Sequence, residues 1–143
     1  MRTLKQLIES KNKRLAFVTP DQSVLRALEI MAEVDVGALL VLDDKQLKGV
    51  FSERDYARKV ILQGKASRNT AVSEVMSDKV ISVTTEQSIE DCMAIMTERH
   101  IRHLPVLDRD GGVLGIVSVG DIIKEILNEQ QFVINQLENY ITG

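Results

Sequence analysis

Apolar positions along the chain change period at short intervals. Leu4, Leu7 and Ile8 fall at helical spacing behind Thr3, a cap-forming residue, and predict a short amphipathic helix over residues 3–10. Leu15-Ala16-Phe17-Val18 reads as a strand stopped by Thr19-Pro20. Asp21-Gln22-Ser23 opens a helix with Val24, Leu25, Ala27, Leu28, Met31 and Ala32 on one side, and Asp35-Val36-Gly37 breaks it. Ala38 to Leu42 is an uninterrupted apolar run, the pattern of a strand buried on both faces. A polar turn at 43–46 leads to a strand from Leu47 to Phe51. A helix begins near Ser52 and runs through Tyr56, Val60 and Ile61. The order is β-α-β-β-α.

After a polar linker from Gln63 to Thr70 the same order begins again. Val72 to Met76 is a helical turn, Val80 to Val83 a strand, and Ser88 to Arg99 a helix bearing Ile89, Cys92, Met93, Ile95 and Met96. Ile101 to Leu107 and Val113 to Val117 are strands around the turn 108–112, and a helix from Ser118 carries Ile122, Ile123, Ile126 and Leu127. Val18 matches Val83, Ser23 matches Ser88, Met31 matches Met96, and Val41-Leu42-Asp43 matches Val106-Leu107-Asp108. This is a tandem repeat of about 60 residues. One copy is too small to bury its own sheet, so the copies are expected to pack face to face about a pseudo-twofold axis, with clefts between them. The expected fold class is α/β (α+β) with flanking N- and C-terminal helices. The expected organisation is 1–71 for the N-terminal helix, first repeat and linker, 72–128 for the second repeat, and 129–143 for a helical tail. In that tail Val133, Ile134, Leu137, Tyr140 and Ile141 form an apolar stripe beyond both repeats, which covers either its own module or, as the favoured expectation, a second copy of the chain.

Composition narrows the function. The chain has no Trp and 3% aromatic residues, so base-stacking platforms lack raw material. A net charge of −3 argues against a broad polyanion-binding face, and any phosphate affinity must come from a few local cations. Lys11-Asn12-Lys13-Arg14 is one cationic run, read as a solvated loop or a phosphate contact. Cys92 stands alone within an apolar helical pattern and reads as a small core residue. His100 and His103 have no carboxylate or cysteine at ligand spacing, and no phosphate-binding glycine loop or catalytic triad pattern is present, so neither a metal site nor an enzyme is expected. No apolar run reaches a membrane span and Met1 to Gln6 lacks a secretory core, so the expectation is a soluble cytoplasmic protein without membrane contact.

The most informative stretch occurs twice. Gly49-Val50-Phe51-Ser52-Glu53-Arg54-Asp55 returns as Gly115-Ile116-Val117-Ser118-Val119-Gly120-Asp121. Each copy is a strand entering a helix, with Ser and Asp together at the junction. The doubled β-α-β-β-α unit, the Arg102-His103-Leu104-Pro105-Val106 segment and these Gly-h-h-Ser-x-x-Asp endings, where h is an apolar residue, resemble a pair of cystathionine-β-synthase (CBS) domains, the Bateman module, over Leu15 to Glu125. The resemblance implies a non-catalytic regulatory module whose inter-repeat clefts take adenosine ligands: AMP first, then ADP, ATP, NAD or S-adenosylmethionine. It is similar to the stand-alone bacterial and archaeal members, which implies a homodimer acting on a regulated partner protein.

An aspartate at a helix start can accept both hydroxyls of a ribose, while the nearby serine and free N–H groups face a phosphate. The resemblance assigns these roles to Ser52 with Asp55 and Ser118 with Asp121. The competing reading is a capping box, in which each end of Ser-x-x-Asp satisfies the other's backbone N–H. Arg102 and His103 are expected to serve phosphate beside Ser118 and Asp121, with the wall supplied by Phe17-Val18-Thr19. The first repeat has Gly37 and Ala38 at the corresponding positions and offers Arg54 instead; its cleft, with Ser52 and Asp55, is expected to be walled by Ile81-Ser82-Val83 and to be the weaker site. Ligand bridging the repeats would favour one relative orientation. The alternative is an interaction module whose clefts take no nucleotide.

Overall fold

The computed structural model describes residues 1–11 and 15–142. The part of the cationic run at 12–14 lies outside the described residues. Helix α1 spans Leu4–Lys11, with Thr3 Oγ1 accepting the Gln6 N–H and Gln6 Oε1 accepting the Thr3 N–H. Strand β1 (Phe17–Val18) pairs in parallel with β2 (Ala38–Asp43), and β2 pairs antiparallel with β3 (Gln46–Ser52). Between β1 and β2 runs α2 (Val24–Val34), capped by Ser23 and ended by Asp35 in the left-handed conformation. The second repeat copies this plan. Its β4 (Val83–Thr84), β5 (His103–Leu107) and β6 (Val113–Ser118) form a second three-stranded sheet, with α5 (Ile89–Arg99) between β4 and β5. The correspondence extends to fine detail: Val18 lies opposite Val41 as Val83 lies opposite Val106, and both hairpins slip register at the same place, Val41/Leu42 and Val106/Leu107. The fold is a mixed α and β pair of repeats, as the pattern predicts. The leading strands are shorter than predicted, two residues each.

The repeats differ after the serine. The first continues as a single turn, α3 (Glu53–Asp55), into a π-helix over Tyr56–Ile61. The second continues as one unbroken helix, α6 (Val119–Thr142), so the tail is the extension of the helix that leaves the second sheet. No helix among the described residues is long and apolar enough to cross a membrane.

The two hydrophobic cores cut across the order of the chain. Leu4, Leu7 and Ile8 of α1 are buried with Val83, Ile89, Cys92, Met96, Leu104, Val106, Val117 and Ile122, the core of the second repeat. Conversely Val72 and Val75 of α4 (Val72–Val75) are buried with Val18, Val24, Met31, Val41 and Phe51, the core of the first. Each repeat is therefore completed by the short helix that precedes the other. A three-stranded sheet with one crossover helix leaves one apolar face uncovered, and the leading helix of the opposite repeat covers it. Ion pairs fasten the exchange: Arg2 Nη2 lies 2.8 Å from Glu125 Oε2, and the Met1 ammonium lies 2.7 Å from Glu129 Oε2. After α4 the chain crosses β3, where Ser77 and Val50 exchange backbone hydrogen bonds. Gly49 permits this approach, since a Cβ there would stand 2.8 Å from the Ser77 carbonyl oxygen.

Candidate functional site

The crossing of Ser77 over β3 and the start of α3 form one end of a cavity of about 780 Å³, within the range typical of small-molecule sites. Its lining combines Ser52, Glu53, Arg54, Asp55, Arg58 and Lys59 from the first repeat with Ser77, Lys79, Val80, Ile81, His100, Arg102, His103 and Pro105 from the second; Gly37 also contributes. Arg54, Arg58, Lys79 and Arg102 make no ion pair among the described residues. Four unpaired cations thus converge on one cavity in a chain of net charge −3, which makes the cavity a local positive well.

The Ser52–Asp55 junction is a complete capping box. Ser52 Oγ accepts the Asp55 N–H at 3.2 Å, and Asp55 Oδ2 accepts the Ser52 N–H at 2.9 Å. Asp55 is buried, at 7% exposure, and its Oδ1 accepts the Ser77 hydroxyl at 3.0 Å and lies 3.1 Å from Lys59 Nζ. Ser77 is exposed and Lys59 is one helical turn along, so both partners of Oδ1 are exchangeable.

Ser118 and Asp121 form the same box, at 2.8 and 3.1 Å, but they do not line this cavity. Lys11 lies against Asp121 Oδ2 as an ion pair and donates to the Ile116 carbonyl at 2.9 Å. Burial works to raise the Asp121 carboxyl, but the hydrogen bonds from Lys11 and from Ser118 outweigh it and hold it below the ordinary carboxylate range. His103 is held below the ordinary imidazole value, first by burial and then by the positive charge of Lys11; Asp121 and Glu53 oppose the shift.

The structure therefore regroups part of the predicted set. Arg102 and His103 stand beside Ser118 through the β5–β6 pairing, His103 opposite Ser118 and the Arg102 carbonyl accepting the Val119 N–H, and they also line the cavity of Ser52, Arg54, Asp55 and Ile81. The reason is the packing of the repeats, which sets the end of α5 of the second repeat against the start of α3 of the first. Val18 and Ala38 are buried in the strands, at 0% and 1% exposure, and line neither cavity. Thr19 lines a second, mostly apolar cavity of about 590 Å³ with Leu15, Phe17, Leu42 and Val113. Ser77 and Lys79 escaped the sequence reading, and Lys11, read as the start of a cationic loop, is the last residue of α1. The only signal of Ser77 and Lys79 is position, just after the short helix α4.

No group of three or more His, Cys, Asp or Glu side chains is placed to hold a metal among the described residues. Cys92 is buried, and burial together with the neighbouring Asp91 charge pushes its thiol up to about 11.

Comparison with known proteins assigns the repeats. The family model described as CBS domain matches residues 6–61 and again 72–128. The mitochondrial CBS domain-containing protein CBSX3 of Arabidopsis thaliana is 36% identical over 150 residues, covering 99% of this chain and 72% of the relative. A putative signal-transduction protein with CBS domains from Burkholderia ambifaria is 43% identical, with a TM-score of 0.84 over 90% of this chain and 96% of that one. The CBS domain pair of protein MJ0100, solved with 5-methylthioadenosine and S-adenosyl-L-methionine, shares the fold at a TM-score of 0.79 and 22% identity over 90% of this chain and 98% of that one. CBS pairs of this kind are regulatory modules, and the chain described here belongs to the CBS-domain family.

Proposed function

We propose that the chain is a non-catalytic sensor that binds a phosphate-bearing adenine nucleotide in the cavity between Asp55 and Arg102. The observation that carries the reading is the set of four unpaired cations, Arg54, Arg58, Lys79 and Arg102, around a cavity of about 780 Å³ in an acidic chain. Arg102 offers a planar fork for phosphate, and Asp55 Oδ1, once released by Ser77, offers an acceptor for ribose hydroxyls. The adenosine ligands of the MJ0100 pair support the nucleoside part. The cations favour AMP, ADP, ATP or NAD over S-adenosylmethionine, whose sulfonium adds positive charge to a positive well. Such a ligand touches both repeats and favours the orientation that closes on it, and a partner protein or a second copy reads the change.

The test is thermal denaturation with each of these ligands. At 100 times Kd a bound ligand adds about 2.7 kcal/mol, a rise of roughly 8 °C for a chain of this size. The expected result is a rise with the phosphate-bearing ligands and a smaller one with S-adenosylmethionine. No rise at millimolar concentration would favour the second reading, a ligand-free interaction module, which the complete capping boxes at both junctions support on their own.

A further inference from the structure

We infer that Lys11 is the residue that limits this chain to one nucleotide site, by standing where a second ligand would have to bind. The inference rests on the reading of the first junction as a nucleotide site. The two junctions are built alike and filled differently. After α4, Ser77 crosses β3, donates its N–H to the Val50 carbonyl at 2.9 Å and its hydroxyl to Asp55. At the end of α1, the Lys11 side chain occupies the corresponding place: its ammonium donates to the Ile116 carbonyl at 2.9 Å and pairs with Asp121. Val50 and Ile116 are matching positions of the repeat, as are Asp55 and Asp121. A neutral, exposed hydroxyl on one carboxylate is thus replaced by a tethered cation on the other.

The difference decides which junction admits a ribose. A diol displacing Ser77 exchanges one neutral hydroxyl for another. A diol displacing Lys11 must replace a charge-assisted pair, roughly twice as strong as a neutral hydrogen bond, and leave an ammonium without its partner. Both members of the pair are about three-quarters buried, at 23% and 25% side-chain exposure, so solvent ions screen it weakly. Lys11 cannot swing clear easily, because Leu4, Leu7 and Ile8 anchor its helix in the second core and Arg2 holds Glu125. Lys59, the cation beside Asp55, is 45% exposed and belongs to the same helical segment, so it can turn toward a bound phosphate. At the second junction the positions matching Arg102 and His103 are Gly37 and Ala38, which bring no cation.

The experiment is binding stoichiometry, by titration calorimetry with ATP and separately with AMP, on wild type, Lys11→Met, Lys11→Gln and Lys11→Arg. Two neutral variants are used so that a folding defect in one leaves the other to decide. Wild type and Lys11→Arg are expected to bind one ligand per chain, and the neutral variants two. Asp55→Asn placed in the Lys11→Met background should return the count to one, by removing the first site. One site in wild type and still one in both neutral variants overturns the role of Lys11 while leaving the nucleotide reading intact. No site in wild type but one in the neutral variants refutes the reading of the first cavity and supports Lys11 as a plug. No binding to any of them overturns both.

Discussion

At the scale of single residues the cavity divides its work between fixed charge and a titratable ring. Arg102 makes no ion pair with an acid among the described residues, and its planar guanidinium matches a phosphate. Arg102→Ala should weaken binding of AMP or ATP by about tenfold to a hundredfold, the worth of a charged hydrogen bond, and leave the far weaker binding of adenosine unchanged; calorimetry on the two ligands separates these effects. His103 is mainly neutral at neutral pH because burial, then Lys11, hold its pKa below the ordinary 6.5. A bound phosphate raises that pKa, so binding takes up a proton as pH falls from about 7 toward the imidazole range. Affinity should therefore rise with acidity more in wild type than in His103→Gln, and equal slopes would remove His103 from the site. Cys92, with its thiol raised to about 11, should resist iodoacetamide at mildly alkaline pH until the chain unfolds. Cys92 was legible in the sequence because a core position follows from helical spacing alone. Arg102 and His103 were legible as phosphate-binding types but not as neighbours of Asp55. Alignment of two repeats matches positions without stating which half faces which.

Whole elements show the same limit more sharply. The order β-α-β-β-α was readable twice because strand and helix periods are local properties, and the capping residues Thr3, Ser23, Ser52 and Ser88 all cap the helices that follow them. The exchange of α1 and α4 was not readable, because each short helix has an apolar face that fits either core. The consequence is testable. Leu7→Ala removes a buried side chain of the second core, at a cost of about 2–5 kcal/mol. Hydrogen exchange should therefore quicken in β5, β6 and α5 while β2 and β3 stay protected; loss confined to β2 and β3 would contradict the exchange. Electrostatics along the same seam adds an acid sensitivity. The hydrogen bond from Arg2 holds the Glu125 carboxyl below its ordinary value of 4.5, and Asp121 is held below 3.8. Carboxylates depressed in the folded state contribute stability that is full above those ordinary values and is lost as pH falls through the folded ones. Wild type should lose stability in that acid range more steeply than Arg2→Ala, whose Glu125 has no such partner to lose.

On the scale of the whole molecule, α6 is the element that the pair of repeats does not use up. Its start is committed to the second core through Ile122, and Glu125 is buried against Arg2. Beyond that point Leu127, Val133, Ile134, Leu137, Tyr140 and Ile141 are exposed, Tyr140 at 87% and Ile141 at 79%. Val133, Leu137 and Tyr140 follow spacings of four and three, with Ile134 and Ile141 alongside, which makes one face rather than a scatter. A helix of 24 residues is about 36 Å long, so more than half of it carries this face clear of its own repeat. A single apolar face repeated in an identical copy is self-complementary, and a twofold pair of α6 helices buries both at once. Such a pair would also connect the proposed nucleotide cavity to the assembly. The cavity includes the end of α5, and α5 and α6 pack in one core with α1. Closing the repeats on a ligand would then tilt α6 relative to its copy. Sedimentation equilibrium at micromolar concentration should give a dimer for wild type and a monomer for Leu137→Glu, with nucleotide affinity per chain retained in the variant. A monomeric wild type would assign the face to a different protein, and a dimeric Leu137→Glu would place the twofold contact elsewhere on the repeats.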